Sequence, residues 1–391
     1  MRPMEGMRVV ALEHAVAAPL CTRHLADMGA DVIKIERPGD GDFARAYDDY
    51  VNGVCSHFIW LNRGKRSVTL DVKNADARAA LDSLIAGADV LVQNLAPGAT
   101  ARLGLSYEAL KPVNPKLVVC DISGYGDSGP FVQKKAYDLL IQAESGLINV
   151  NGSPEEPSRV GISIADIATG MYALTGILGA LLRRGRTGEG GNVKIAMLDA
   201  LGEWMTYPML RHAYTGSPPP RVPTSHPAIA PYGAHKTMDG QVILGLQNER
   251  EWVTFCQKVL GSPAIQTDPR FATQNVRREN REALTAAIED FFSDKTSVEV
   301  AELLDRAGIA NGRMNQPIDV WNHVQFEARD KWRTIQTENG SVRALLPPFI
   351  YPEEEAVMGD VPTVGQHTDE VLRGIGFSAE RIAAMRAAGA V

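Results

Sequence analysis

The chain has 391 residues, 45% hydrophobic and 22% charged, with 40 basic and 47 acidic side chains for a formal charge of −7. That is the composition of a folded globular protein too long for one hydrophobic core, so two domains are expected. The acidic balance argues against nucleic acid as the main partner, while leaving room for a local basic patch that holds a phosphorylated ligand.

"MRVVAL" reads as a short strand, and the residues around it lack the apolar core of a signal peptide. "AAPLCTRHLADMGA" follows as a helix, with Pro19 suited to its first turn and Gly29 to its stop. "DVIKIE" is the next strand. "SVTLDVK" reads as extended, and "NADARAALDSLIAGA" as a helix with Asn74 as its N-cap. "DVLVQNL" and "KLVVCDISGYG" are further strands. Short β-rich runs separated by helices predict a parallel, doubly wound α/β sheet. A helix then carries Asp166 and runs to about Arg184, where "RRGRTGEGG" ends it. "NVKIAML" is a strand, and another helix begins near Asp199.

Six prolines between residues 214 and 235 predict an extended linker. Beyond it, "HKTMDGQVILGLQ" reads as a hairpin turning at Asp239–Gly240, and helices are expected in "EREWVTFCQKVLG", "NREALTAAIEDFFSD" and "SVEVAELLDRAG". The tail is helical again. The expected organisation is a large domain over 1–200, a linker over 201–224, a small α+β domain over 225–325, and a return linker plus the rest of the large domain over 326–391.

Cys21, Cys55, Cys120 and Cys256 lie far apart, with no CxxC and no Cys/His cluster, so neither a zinc site nor a disulfide framework is expected. The longest near-apolar run, Met171–Leu182, is too short to span a bilayer, so no membrane partner and a cytoplasmic location are expected. The first strand–helix connection reads "EHAVAAPLCT" instead of GxGxxG, which disfavours a nicotinamide-dependent oxidoreductase. GxxxxGK[ST] and GxSxG are absent, and "GDGDF" lacks the spaced ligands of a calcium loop.

"GISIADIATGMYALTG" holds one charge, Asp166, among small and apolar residues. Burying a lone carboxylate is costly unless something compensates. Asp166 reads equally as a helix N-cap and as a desolvated nucleophile kept ionised by the helix dipole. Lys34 and Arg37, and later Lys73, Asn94 and Arg102, fall at the ends of elements, where open α/β sheets bind ligands. Lys134, Lys135, Tyr137 and Asp138 open a helix.

Taken in order, "AAPLCTRHLADMGADVIKIERPGDGD", "NRGKRSVTLDVK", "NLAPGATARLGL", "DISGYGDSGP", "AYDLLIQAESG", "ADIATGMYALTGILGALLRRGRTGEG" and "VGQHTDEVL" resemble the class III CoA-transferases, the family of formyl-CoA transferase, carnitine CoA-transferase and the α-methylacyl-CoA racemases. The resemblance spans nearly the whole chain. It implies a Rossmann-like large domain made from the N-terminal part plus the C-terminal tail, a smaller inserted α+β domain, and an interlocked homodimer. It places the catalytic carboxylate on Asp166. It places CoA contacts on Val16, Ala17, Arg37, Leu70, Lys73, Asn94, Leu95, Arg102, Lys135, Ala136, Tyr137 and Met197. CoA or acyl-CoA is then a substrate, with no permanently bound cofactor and no metal.

The implied reaction moves CoA between carboxylates through an aspartyl anhydride and an aspartyl-CoA thioester, with backbone N–H groups at the helix start steadying the oxyanion. A racemase needs a histidine before Asp138, where this chain has Tyr137; a non-catalytic acyl-CoA-binding protein is the other alternative. "SHPAIAPYGAH" has no glycine run of the formyl-CoA transferase kind. "HPAIAPYG" and "GDFARAYD" are more similar to the branch that passes CoA between succinyl-CoA and C4–C5 dicarboxylates. Arg45 and His226 are the expected partners for the second carboxylate.

Overall fold

The structure, a computed structural model, describes residues 2–349, 351–355 and 358–391. It divides into two compact units, one made of residues up to 147, 160–207 and 328–391, the other of 148–159 and 208–327.

The first unit is built on a six-stranded parallel sheet of β1 (Arg8–Leu12), β2 (Asp31–Glu36), β3 (Arg66–Thr69), β4 (Val90–Gln93), β5 (Val118–Ser123) and β6 (Gly191–Ala196), in the order β3-β2-β1-β4-β5-β6. The chain winds outward from β1 to β3, then crosses back to place β4 on the other side of β1. The loops after β1 and β4 therefore diverge, which opens a crevice at the carboxyl ends of the strands. Both faces are covered, so the strands are apolar on both sides. Val10, Leu12, Ile33 and Leu91 face one core with Leu81, Leu84, Leu372 and Ile382. Val9, Val32, Val90 and Val92 face the other with Cys21, Leu25, Ala173 and Ile177.

Helix α1 (Ala17–Asp27) follows β1 and α2 (Ser56–Asn62) precedes β3. Helix α3 (Ala75–Ala86) is capped by Asn74, whose side chain accepts the N–H groups of Asp76 and Ala77. Helix α4 (Asp138–Glu144) and helix α5 (Ile164–Thr187) precede β6, and α6 (Met197–Trp204) follows it. The C-terminal segment returns to β3, where the Gly365 N–H donates to Ser67 Oγ and the Thr69 N–H to Thr368 Oγ.

At 24 residues, α5 is long and apolar enough to cross a membrane, whereas the uninterrupted apolar run had suggested otherwise. That run stopped at Met171 and Leu182; the helix continues past both. Its Ala165, Ala168, Gly170, Ala173 and Ile177 face is buried in the core of the first unit.

Two expectations fail locally. The linker over 201–224 begins as helix, since α6 runs to Trp204 and a further helix spans Thr206–Thr215. Pro208 sits in that helix's first turn, where its missing N–H costs nothing. The return linker from 326 holds a hairpin, β10 (Trp332–Thr337) with β11 (Gly340–Leu345), whose Ile335 packs with Val54, Phe58, Ile59 and Val361. In the second unit the antiparallel sheet β7 (Tyr232–Lys236), β8 (Gln241–Gly245) and β9 (Ala310–Arg313) packs Val242 and Leu244 against Trp252, Phe255, Ile288, Phe292, Val300 and Leu304. Residues 148–159 join this unit through Arg221, which donates to the carbonyls of Asn149, Ser153 and Pro154.

Candidate active site

The crevice beside β1 and β4 holds two cavities, of about 920 and 890 Å3, that share His14, Phe43, Leu95 and Ala96 in their walls. The first is lined by Val16, Ala17, Asn94, Leu95, Lys135, Ala136, Tyr137, Met197 and Asp166, and the second by Arg37, Leu70, Lys73, Leu95 and Arg102. Every residue assigned to CoA by resemblance thus borders one of two cavities that share part of their walls within the first unit. Arg37, Lys73 and Arg102 are exposed, and their side chains meet no carboxylate among the described residues. Three cations without carboxylate partners around one cavity suit a phosphorylated ligand.

A buried ionic network holds the floor. Lys34 Nζ donates to Asp42 Oδ2 at 2.8 Å and lies 3.5 Å from Glu13 Oε1, while Lys65 Nζ donates to Glu13 Oε1 at 2.6 Å. Lys34, which its position at a strand end offered to a ligand, is fully buried here. Asp42 Oδ1 also accepts the N–H of Ala15, a non-glycine residue at φ +62 in the loop leading to Val16 and Ala17. Asn94 braces the same loop. Its Oδ1 accepts the His14 N–H at 3.1 Å and its Nδ2 donates to the His14 carbonyl at 2.9 Å. Its polar atoms are thus engaged in shaping the cavity wall.

Asp166 lies in the first turn of α5, but it is not the cap. Ser163 occupies that position and makes no side-chain cap bond. Asp138 Oδ1 instead accepts the N–H of Ala165 at 2.8 Å and of Asp166 at 3.4 Å, and Asp138 Oδ2 accepts Gln142 Nε2 at 2.7 Å. The Ile164 N–H donates to the Ile162 carbonyl. The first N–H groups of α5 are therefore spoken for and do not form the expected oxyanion site. Nor does the helix dipole hold Asp166 ionised as expected: burial, then the Asp138 charge, push its carboxyl up to about 7. The start of α1 is different, because Val16 has no capping side chain and the Ala17 N–H is left without a partner among the described residues.

Arg45 and His226, the residues expected to meet the second carboxylate, have these surroundings. Arg45 clamps Glu36 through Nε at 2.9 Å and Nη2 at 2.7 Å, donates to the Pro362 carbonyl, and lies 3.7 Å over the Phe58 ring. Its planar fork is used up in the scaffold. His226 belongs to the second unit, where it stacks on Tyr232 and its Nδ1 accepts the Ala228 N–H. Sequence reasoning also missed His14, Tyr47 and His57, which line the first cavity. The local sequence "CSH" at 55–57 was the available signal, since Cys55 and His57 converge with Asp48 within 4.8 Å.

The sequence matches CoA-transferase family III over residues 4–368. The succinate–glutarate CoA-transferase of Agrobacterium fabrum is 32% identical over 380 residues, covering 95% of each chain. The acetyl-CoA:oxalate CoA-transferase of Acetobacter aceti is 35% identical over 330 residues, covering 84% of this chain and 85% of the relative. The crystal structure of a CAIB/BAIF family protein from Brucella suis aligns with a TM-score of 0.85 at 32% identity, over 96% of this chain and 99% of that one. Sequence and fold agree along nearly the full length, and the chain belongs to family III of the CoA-transferases.

Proposed function

We propose that this enzyme moves CoA from succinyl-CoA to a C4–C5 dicarboxylate, with Asp166 as the covalent nucleophile. The observation that carries the reading is one half-buried carboxylate in the wall of a cavity that shares His14, Phe43, Leu95 and Ala96 with a second cavity edged by Arg37, Lys73 and Arg102. The acceptor class is supported by the name of the succinate–glutarate relative. Acyl-CoA and the acid are substrates, and no resident cofactor is required.

An Asp166 oxygen attacks the donor thioester carbonyl, the C–S bond breaks, and CoA leaves as thiolate. The thiolate attacks the aspartyl carbonyl of the anhydride and releases the donor acid, leaving aspartyl-CoA. The acceptor carboxylate then displaces the thiolate, and the thiolate attacks the acceptor's acyl carbon, freeing Asp166. No net proton is exchanged. Bound acyl-CoA is proposed to fill the cavity over Asp166 and so keep water from the anhydride. The unpartnered Ala17 N–H is the donor proposed for the oxyanion.

The two units are proposed as the large and small domains of an interlocked homodimer in the cytoplasm. Exposed apolar side chains support the dimer, notably Trp204, Tyr207, Met209, Leu210 and Tyr214, since the helix Thr206–Thr215 has no buried residue. The function is tested by incubating succinyl-CoA and acetyl-CoA with a panel of carboxylates and reading product masses, with borohydride trapping during turnover. Transfer to dicarboxylates and a label on Asp166 are expected. Deuterium exchange at an α-carbon without transfer would overturn the reading in favour of a racemase.

A further inference from the structure

Within the first unit, Arg45 is engaged with Glu36, so the distal carboxylate of a dicarboxylate needs another partner there. The first cavity offers few cations for it. Lys134 is paired with Glu144 and Lys194 with Asp127. His14 is held below its ordinary range by burial. Lys135 belongs to the CoA set.

His57 remains, a half-exposed ring with neighbours on three sides. Its Nδ1 lies 3.4 Å from Asp48 Oδ2, and its ring stands edge-on to Tyr47 at 6.0 Å and to Trp60 at 6.4 Å. Asp48 is itself immobilised. Its Oδ1 accepts the Ser56 N–H at 2.8 Å, its Oδ2 accepts Ser56 Oγ at 2.8 Å, and these bonds keep its carboxyl well below the usual range. Cys55 Sγ also lies 3.6 Å from Asp48 Oδ2, so Asp48, Cys55, Ser56 and His57 form one hydrogen-bonded cluster. Nε2 of His57 has no partner among the described residues. Tyr47 lines the same cavity as Asp166, and its phenol is pushed up to about 12 by burial, by Asp42 and by the Asp166 charge.

We propose that His57, oriented by Asp48, binds the distal carboxylate of the acyl group and so sets the preference for dicarboxylates; this rests on the CoA-transferase reading above. Nδ1 faces Asp48, so Nε2 is the ring atom left to meet the distal carboxylate. Asp48 is a positioning residue, and a substrate ending in methyl leaves Nε2 unmatched.

The test compares glutaryl-CoA with pentanoyl-CoA, which differ only in that terminus. Calorimetric binding is measured in the Asp166→Asn background, where transfer cannot interfere. A preference for glutaryl-CoA of at least about tenfold is expected. His57→Leu should bring the ratio near one, Asp48→Asn should lower it partly, and His57→Gln, which keeps a donor, should retain part of it. A preference that survives His57→Leu, or is absent with His57 in place, overturns the proposal. Transfer activity with His57 and Asp166 intact is measured in parallel. Its absence would sink the transferase reading while leaving the binding ratio to decide the role of His57.

Discussion

The Asp138 carboxylate accepts the N–H of Ala165 at 2.8 Å and of Asp166 at 3.4 Å, so one acid caps the helix turn that carries another. The arrangement fixes the backbone at the proposed nucleophile, whose carboxyl is raised to about 7, first by burial and then by the Asp138 charge. Only the ionised form attacks a thioester. The acid limb of kcat/KM should therefore lie near pH 7, with activity rising as pH increases through it. Asp138→Asn keeps a carbonyl oxygen for the Ala165 N–H but removes the charge. It should move the limb down by roughly one pH unit. A pH–rate profile of both proteins checks this, and an unmoved limb would mean that burial alone sets the value.

Asp166→Asn should abolish transfer, by at least roughly a thousandfold, and yet stabilise the fold. The sign follows from linkage. A carboxyl whose folded value, about 7, lies above its ordinary 3.8 makes the native state progressively less stable as pH rises between the two, and the loss is complete above 7. The ceiling is roughly 4 kcal/mol, and solvent reaching the half-buried side chain reduces the expected gain to about 1–2 kcal/mol. Thermal melts should show a larger gain at pH 8 than at pH 4.

Arg45→Ala should act on stability and not on the acceptor. Glu36 is nearly fully buried, with its carboxyl lowered to about 2, first by the hydrogen bonds from Arg45. Removing the guanidinium leaves that charge with Lys34, Ser67 and the Asp42 N–H, at an expected cost of about 3 kcal/mol. Denaturant unfolding measures it. A selective rise in the acceptor's KM, with stability unchanged, would return Arg45 to the substrate site.

The elements of the first unit were legible because periodicity and capping residues are local signals. Asn74 caps α3, and Gly188 closes α5 at φ +77, as their neighbours in sequence imply. The candidate CoA residues emerged as one wall because β1 and β4 are adjacent in space, and the family motifs carry that adjacency. What stayed hidden depends on partners far along the chain. Nothing near Arg45 announces the Pro362 carbonyl, and nothing near Asp166 says that Asp138, 28 residues earlier, has taken its capping role. The β10–β11 hairpin went unseen because its strands are mostly polar and only Ile335 is deeply buried.

Packing between α1 and α5 gives the last expected outcome. A Cβ on Gly170 would lie 2.6 Å from the Ala17 carbonyl and 3.2 Å from Leu20 Cβ. The carbonyl is backbone, so α1 itself must move. Helix propensity favours alanine by about 1 kcal/mol, but overpacking of this kind costs about 1–3 kcal/mol. Gly170→Ala should thus be neutral to destabilising by about 2 kcal/mol. Gly179 provides the contrast, because nothing lies within 4 Å of the added carbon, and Gly179→Ala should stabilise by about 0.5–1 kcal/mol. The displaced residue, Ala17, borders the cavity and carries the free N–H, so Gly170→Ala should also lower kcat for transfer, whereas Gly179→Ala should leave it unchanged. Paired melts and steady-state kinetics separate the two effects. If both alanines behave alike, the close approach of α5 to the Val16–Ala17 loop does not constrain the site.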